Sequence, residues 1–138
     1  MNINHILEMI RSGEGVNIEF KESKGRLNKD VFHSVCAFLN RSGGHLFLGV
    51  KDDGTIVGIS EDAVDKIKKD FITSINNPLK ISPSFYLTVE EIRVEHKIIL
   101  YIFVPESSQV HRCSGRIYDR NEDGDMDITD NTTLVYGL

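Results

Sequence analysis

Residues 37–58, AFLNRSGGHLFLGVKDDGTIVG, read as the end of a helix, a double-glycine turn, a buried strand and an acidic tight turn. His45–Val50 is an almost unbroken apolar run, as expected of a strand covered on both faces. Asp53-Gly54 between apolar runs suits a tight turn with positive φ, with IVGI at 56–59 returning as the second arm of a hairpin. Gly43 and Gly44 let the backbone pass close to a neighbour, which is either a packed strand or a phosphate. The chain has no GxxxxGK[ST] or GxGxxG motif, so a nucleotide-cradling loop of those kinds is not supported.

Working outward, Ile3, Ile6, Leu7 and Ile10 recur at helical spacing and predict a short amphipathic helix stopped by Gly13. VNIEFK at 16–21 alternates as a strand, with Val16, Ile18 and Phe20 facing the core and Asn17, Glu19 and Lys21 facing the other way. Leu27, Val31, Val35, Phe38 and Leu39 form the apolar stripe of a second helix, for which Asn28 is the candidate cap. Val64, Ile67, Phe71 and Ile75 mark a third helix, opened at Ser60 and closed at Asn76-Asn77-Pro78. Residues 83–94 and 97–104 read as an antiparallel strand pair, and 115–120 as one more strand. These elements predict an α/β (α+β) fold: one domain over residues 1–138, with two to three helices on a mixed or antiparallel sheet. The end after TTLVYGL suggests an N-terminal piece of a longer protein.

The chain of 138 residues is 40% apolar, enough for one domain with its own core. Cys36 and Cys113 are too few for a disulfide framework and fit no CxxC pattern, which favours a reducing, cytoplasmic setting. There is no membrane-length apolar run and no signal peptide pattern at the N-terminus. The net charge of −5 argues against a phosphate-binding partner only until it is localised. Residues 119–130, DRNEDGDMDITD, carry all of it, and residues 1–118 balance at 15 acids and 15 bases. From Lys21 to Lys51 six bases (Lys21, Lys24, Arg26, Lys29, Arg41 and Lys51) face two acids, a candidate basic surface beside the 16–21 strand.

IEFKES at 18–23 followed by AFLNRSGGHLFLGVKDDGTIVGI at 37–59 resembles the AlbA-like domain of the Schlafen family, found in many prokaryotic proteins as a DNA-binding domain and also labelled divergent AAA or ATP-binding. GRIYDRN at 115–121 is similar to the family's strand with paired basic residues. The resemblance implies an α/β sandwich-like domain and nucleic-acid binding, DNA or RNA, as in a transcriptional regulator. In animal Schlafens it implies a metal-dependent endoribonuclease built from three acids, whose positions are filled here by Glu14, Glu19 and Asp52. Clustered carboxylates of this kind would suit Mg²⁺ or Mn²⁺ and the cleavage of structured RNA such as tRNA, with Lys21 steadying a phosphate oxygen. The residues also allow a plainer reading: Glu14 in an exposed glycine-bounded turn, Glu19 paired with Lys21 or Arg41, and Asp52 in a hairpin turn. Binding without cleavage is the expectation.

Asp119, Asn121, Asp123, Gly124, Asp125 and Asp130 match D-x-[DN]-x-[DN]-G with an acid at the twelfth position, the pattern of a calcium loop. The bidentate Glu is missing and GRIY reads as a strand rather than an entering helix, so a soluble acidic turn or a protein-interaction surface is the alternative. His111 and Cys113 have no second pair of zinc ligands nearby. His33, Cys36 and Asn40 share one helix face and read as the polar edge of a packed helix. Exposed sheet edges would support a homodimer.

Overall fold

A computed structural model describes residues 2–138. Its centre is a four-stranded mixed sheet of order β1-β2-β5-β4, comprising β1 (Ile18–Lys21), β2 (Gly44–Leu48), β4 (Val89–Val94) and β5 (Lys97–Val104). β1 and β2 run parallel, and parallel neighbours need a crossover. Helix α2 (Val31–Asn40) supplies it. β5 then pairs antiparallel with both β2 and β4.

Alternation along the strands feeds two cores. Leu46 and Leu48 of β2 and Ile98, Leu100, Ile102 and Val104 of β5 pack against α2 and α3 (Val64–Ile75). Phe47, Ile99 and Tyr101 point the other way, onto Ile6, Met9 and Ile10 of α1 (Ile3–Ser12). Both faces of β2 are therefore covered, as its apolar run requires. The double-glycine turn serves packing. A Cβ on Gly44 would lie 2.4 Å from the Phe38 ring, and one on Gly43, whose φ is +73°, would lie 2.6 Å from the Val104 carbonyl oxygen.

Beyond the sheet lie two small ribbons, β3 (Ile81–Ser82) with β6 (Arg112–Cys113), and the hairpin β7 (Tyr118–Asn121) with β8 (Gly124–Asp127). A short helix α4 (Thr132–Tyr136) follows.

Four sequence expectations need correction. Residues 56–59 form no strand; a single Val50–Ile56 bridge stands where a ladder was expected, and the Ile59 N–H donates to Ile98 of β5 instead. The strand expected from 83 begins only at Val89, opposite Ile102 of β5, and the preceding Phe85 and Leu87 pack against the core instead. Asn28 does not cap α2: its Oδ1 accepts from the N–H and hydroxyl of Ser23 and so ties the intervening loop. The acidic segment does not take the form of a helix-flanked loop. It is the β7–β8 hairpin, whose alternate residues face opposite ways, and Asp119, Asp125, Asp127 and Asp130 are held by arginines.

Candidate nucleic-acid interface and the ion network behind it

The strand β1 places Glu19 and Lys21 two residues apart on one face, and both side chains are nearly buried. Lys21 Nζ donates to Asp30 Oδ2 at 2.9 Å and lies 3.7 Å from Glu19 Oε2. Burial works against the lysine charge, but Asp30 and Glu19 more than restore it and hold its pKa above the ordinary value. The other oxygen of Glu19 meets Arg120 Nη1 at 3.0 Å. Arg120 comes from β7, and its side chain is 1% exposed. Its guanidinium also donates to Asp125 at 2.7 Å, to the carbonyls of Gly15, Val16 and Ile18, and lies 4.7 Å from the centre of the Phe38 ring. Asp125 in turn accepts from the Ser34 hydroxyl at 2.6 Å. A buried guanidinium needs this many acceptors, since an unsatisfied buried charge is costly. Arg120 thereby clasps the terminal hairpin to the start of β1.

Glu14 accepts from the Phe20 N–H through Oε2 at 2.9 Å, and its carboxyl is hydrogen-bonded to that of Glu19. Two carboxyl groups sharing a hydrogen bond share a proton. Burial first, and then Glu14, push the Glu19 pKa to about 7, outweighing Lys21 and Arg120.

The third acid of the expected triad does not join them in a metal-holding group. Asp52 lines an open cavity of about 580 Å³ with Lys21, Glu22, Asn28, Asp30, Lys51 and Asp53. Among the described residues no three His, Cys, Asp or Glu side chains gather to hold a metal ion. The oxygens of Glu19 are taken up by Arg120, Lys21 and Glu14. The residues as arranged do not fit a three-carboxylate metal centre. In the hairpin, Asp119 is buried and takes a bidentate contact from Arg41, Asp125 is bound by Arg120, and Asp130 reaches Arg116, while Asn121 accepts from the Asp123 N–H in the turn. His111 uses both ring nitrogens, on the Pro83 carbonyl and the Ser107 hydroxyl, leaving neither for zinc.

The six bases divide into two groups. Lys21 and Arg41 are neutralised by Asp30, Glu19 and Asp119. Lys24, Arg26, Lys29 and Lys51 are exposed and make no ion pair among the described residues. Lys24, Arg26 and Lys29 line a cavity of about 320 Å³ formed by the 23–29 loop. Asn28 belongs to the walls of both cavities, so the loop and the Lys51 turn form one continuous surface at the end of β1. Sequence reasoning missed Arg120 as the hub. Its signal was one base among six acids, in a strand that packs on α2.

The family model for Schlafen, AlbA_2 matches residues 14–129. The chain belongs to this family. An uncharacterized ATP-binding protein of Ureaplasma parvum is 33% identical over 113 residues, which cover 72% of this chain and 32% of that protein. The chain thus spans about a third of the length of that curated relative. Among solved structures, the N-terminal domain of an ATP-dependent DNA helicase RecG-related protein from Nitrosomonas europaea aligns with TM-score 0.58 at 24% identity, over 77% of this chain and 74% of that one. The DIP2311 protein of Corynebacterium diphtheriae aligns with TM-score 0.64 at 20% identity, over 91% of this chain and 26% of that one. At these identities the two structures establish the fold, a mixed α+β domain. No helix among the described residues is long and apolar enough to cross a membrane.

Proposed function

We propose that this Schlafen AlbA_2 domain binds nucleic acid without cleaving it, gripping phosphates with Lys24, Arg26, Lys29 and Lys51. The observation that carries the reading is the division of the bases. The four that make no ion pair among the described residues cluster around two adjoining cavities, while Lys21 and Arg41 are held by acids within the fold. Exposed lysines and arginines without partners displace counterions from a phosphate backbone, and this drives binding. The helicase-related name of one structural neighbour agrees with a nucleic-acid partner.

Fluorescence anisotropy with labelled single-stranded DNA, duplex DNA and RNA tests it. Affinity should fall steeply between about 50 and 200 mM salt. The triple variant Lys24→Glu, Arg26→Glu, Lys29→Glu should lose binding with an unchanged melting temperature, because the three side chains are exposed. Absence of salt-sensitive binding to all three probes would overturn the proposal. Cleavage of tRNA with Mg²⁺ or Mn²⁺ that disappears in Glu19→Gln would overturn its non-catalytic part.

A further inference from the structure

The central sheet has two edge strands, and they are finished differently. Along β1, Arg120 donates to the carbonyls of Gly15, Val16 and Ile18, and the Glu14 carboxyl accepts from the Phe20 N–H. The other edge is β4. It joins β5 through the tight turn Glu95-His96, where Glu95 has a φ of +58°, and Val94 and Lys97 close that turn. The closing pair of such a hairpin exchanges both hydrogen bonds, and the pattern alternates from there. Val94, Ile92 and Glu90 therefore turn their backbone groups to β5, while Arg93, Glu91 and Val89 turn theirs outward. Ile98, opposite Arg93, accordingly gives its carbonyl to the Ile59 N–H at 2.8 Å. Among the described residues no strand and no further backbone bond meets the outward groups of β4. An open edge of this kind is a template for one more strand.

The side chains select the strand that fits. Two antiparallel copies of β4 related by a two-fold axis normal to the sheet keep every side chain on its own face, so the axis must pass beside a residue rather than between two. Centred on Glu91 or on Arg93, the pairing would set like charges directly opposite each other, which is unfavourable. Centred on Ile92, it sets Glu91 of each chain opposite Arg93 of the other, and these are the residues whose backbone groups point outward. Glu91 and Arg93 are exposed and already have loose partners, Lys68 at 3.8 Å and Glu61 at 3.6 Å. Neither contact has hydrogen-bond length, and the pairing gives up neither of them. What the new strand takes up is backbone, while Lys68, Glu91, Arg93 and Glu61 form a row of alternating sign across the junction. Ile92, part of the core under α1, meets its own copy and carries that apolar layer across.

We propose that the β4 edge is a self-pairing surface: two copies of this chain join β4 to β4 antiparallel about Ile92, fusing two four-stranded sheets into one. The dimer does not depend on nucleic-acid binding. Sedimentation velocity over a concentration series, without nucleic acid, should show a monomer–dimer equilibrium. Arg93→Glu and Glu91→Arg should each weaken it about tenfold, since each sets like charges opposite at both symmetric positions, and the double variant Glu91→Arg, Arg93→Glu should recover most of the loss. Glu91→Pro removes only an outward N–H, so it should abolish the dimer and keep the β4–β5 hairpin. Amide hydrogen exchange gives a readout free of mutation: the Glu91 and Arg93 amides should gain protection as concentration rises, while those of Glu90, Ile92 and Val94 stay protected throughout. A monomer at every concentration, a dimer equally tight in Arg93→Glu and Glu91→Pro, or a double reversal no tighter than the single ones would overturn the proposal.

Discussion

Arg120 and Glu19 decide the chemistry behind the basic surface. Replacing Arg120 by Met removes the guanidinium from three backbone carbonyls and from two acids at once. Breaking a buried ion pair on one side costs about 3–5 kcal/mol, and urea denaturation of Arg120→Met should show a loss of that size. Glu19 makes a prediction of opposite character. Its carboxyl titrates near 7 in the fold against 4.5 ordinarily. Between those values the folded chain keeps a proton that the unfolded chain has released, so the stability contributed by this group falls as pH rises from about 4.5 to about 7 and then levels off. In Glu19→Gln the slope across that window should flatten, which melts at stepped pH will measure. An unchanged slope would mean that Glu19 and Glu14 share no proton. The carboxylates at 14 and 19 could be picked from the sequence by their spacing. Their partner could not, because Arg120 is a hundred residues away along the chain.

The helix α2 organises the elements around it. Its polar edge, expected from the spacing of His33, Cys36 and Asn40, is the seam to the C-terminal ribbons. Asn40 donates to the carbonyls of His111 and Tyr118 and accepts from the His111 N–H, Cys36 donates to the His111 carbonyl, and the His33 ring stacks on Tyr118. The end of the same helix sets the role of the double glycine. Gly44→Ala would drive a methyl into the Phe38 ring, and overpacking of this kind costs about 1–3 kcal/mol. A shift of the denaturation midpoint without change in its slope is expected; an unaltered midpoint would show that Phe38 can move aside. Element type was readable wherever periodicity ran long, as in α1, α2, α3 and β5. The acidic segment allowed two readings because D-x-[DN]-x-[DN]-G is also what a tight hairpin turn with flanking acids looks like, and the pairing of Tyr118–Asn121 with Gly124–Asp127 shows the hairpin.

Across the 21–51 stretch, charge is sorted by pairing. Lys21 and Arg41 are held by acids within the fold, and Lys24, Arg26, Lys29 and Lys51 make no ion pair among the described residues. If Lys24 and Arg26 each contact one phosphate, the double variant Lys24→Ala, Arg26→Ala should reduce the slope of log affinity against log salt by about 2. A slope equal to that of the unmodified chain would place the phosphate contacts elsewhere. By itself the sequence determined the α+β class, the helices α1, α2 and α3 and the buried strands, because those follow from local periodicity and from glycine and proline placement. Only the tertiary structure decided which charges are spent and which are free. That outcome depends on contacts between residues far apart in the chain: Arg41 with Asp119 and Arg120 with Glu19. Ionic pairing and burial are properties of distance in space, and no spacing along the chain encodes them.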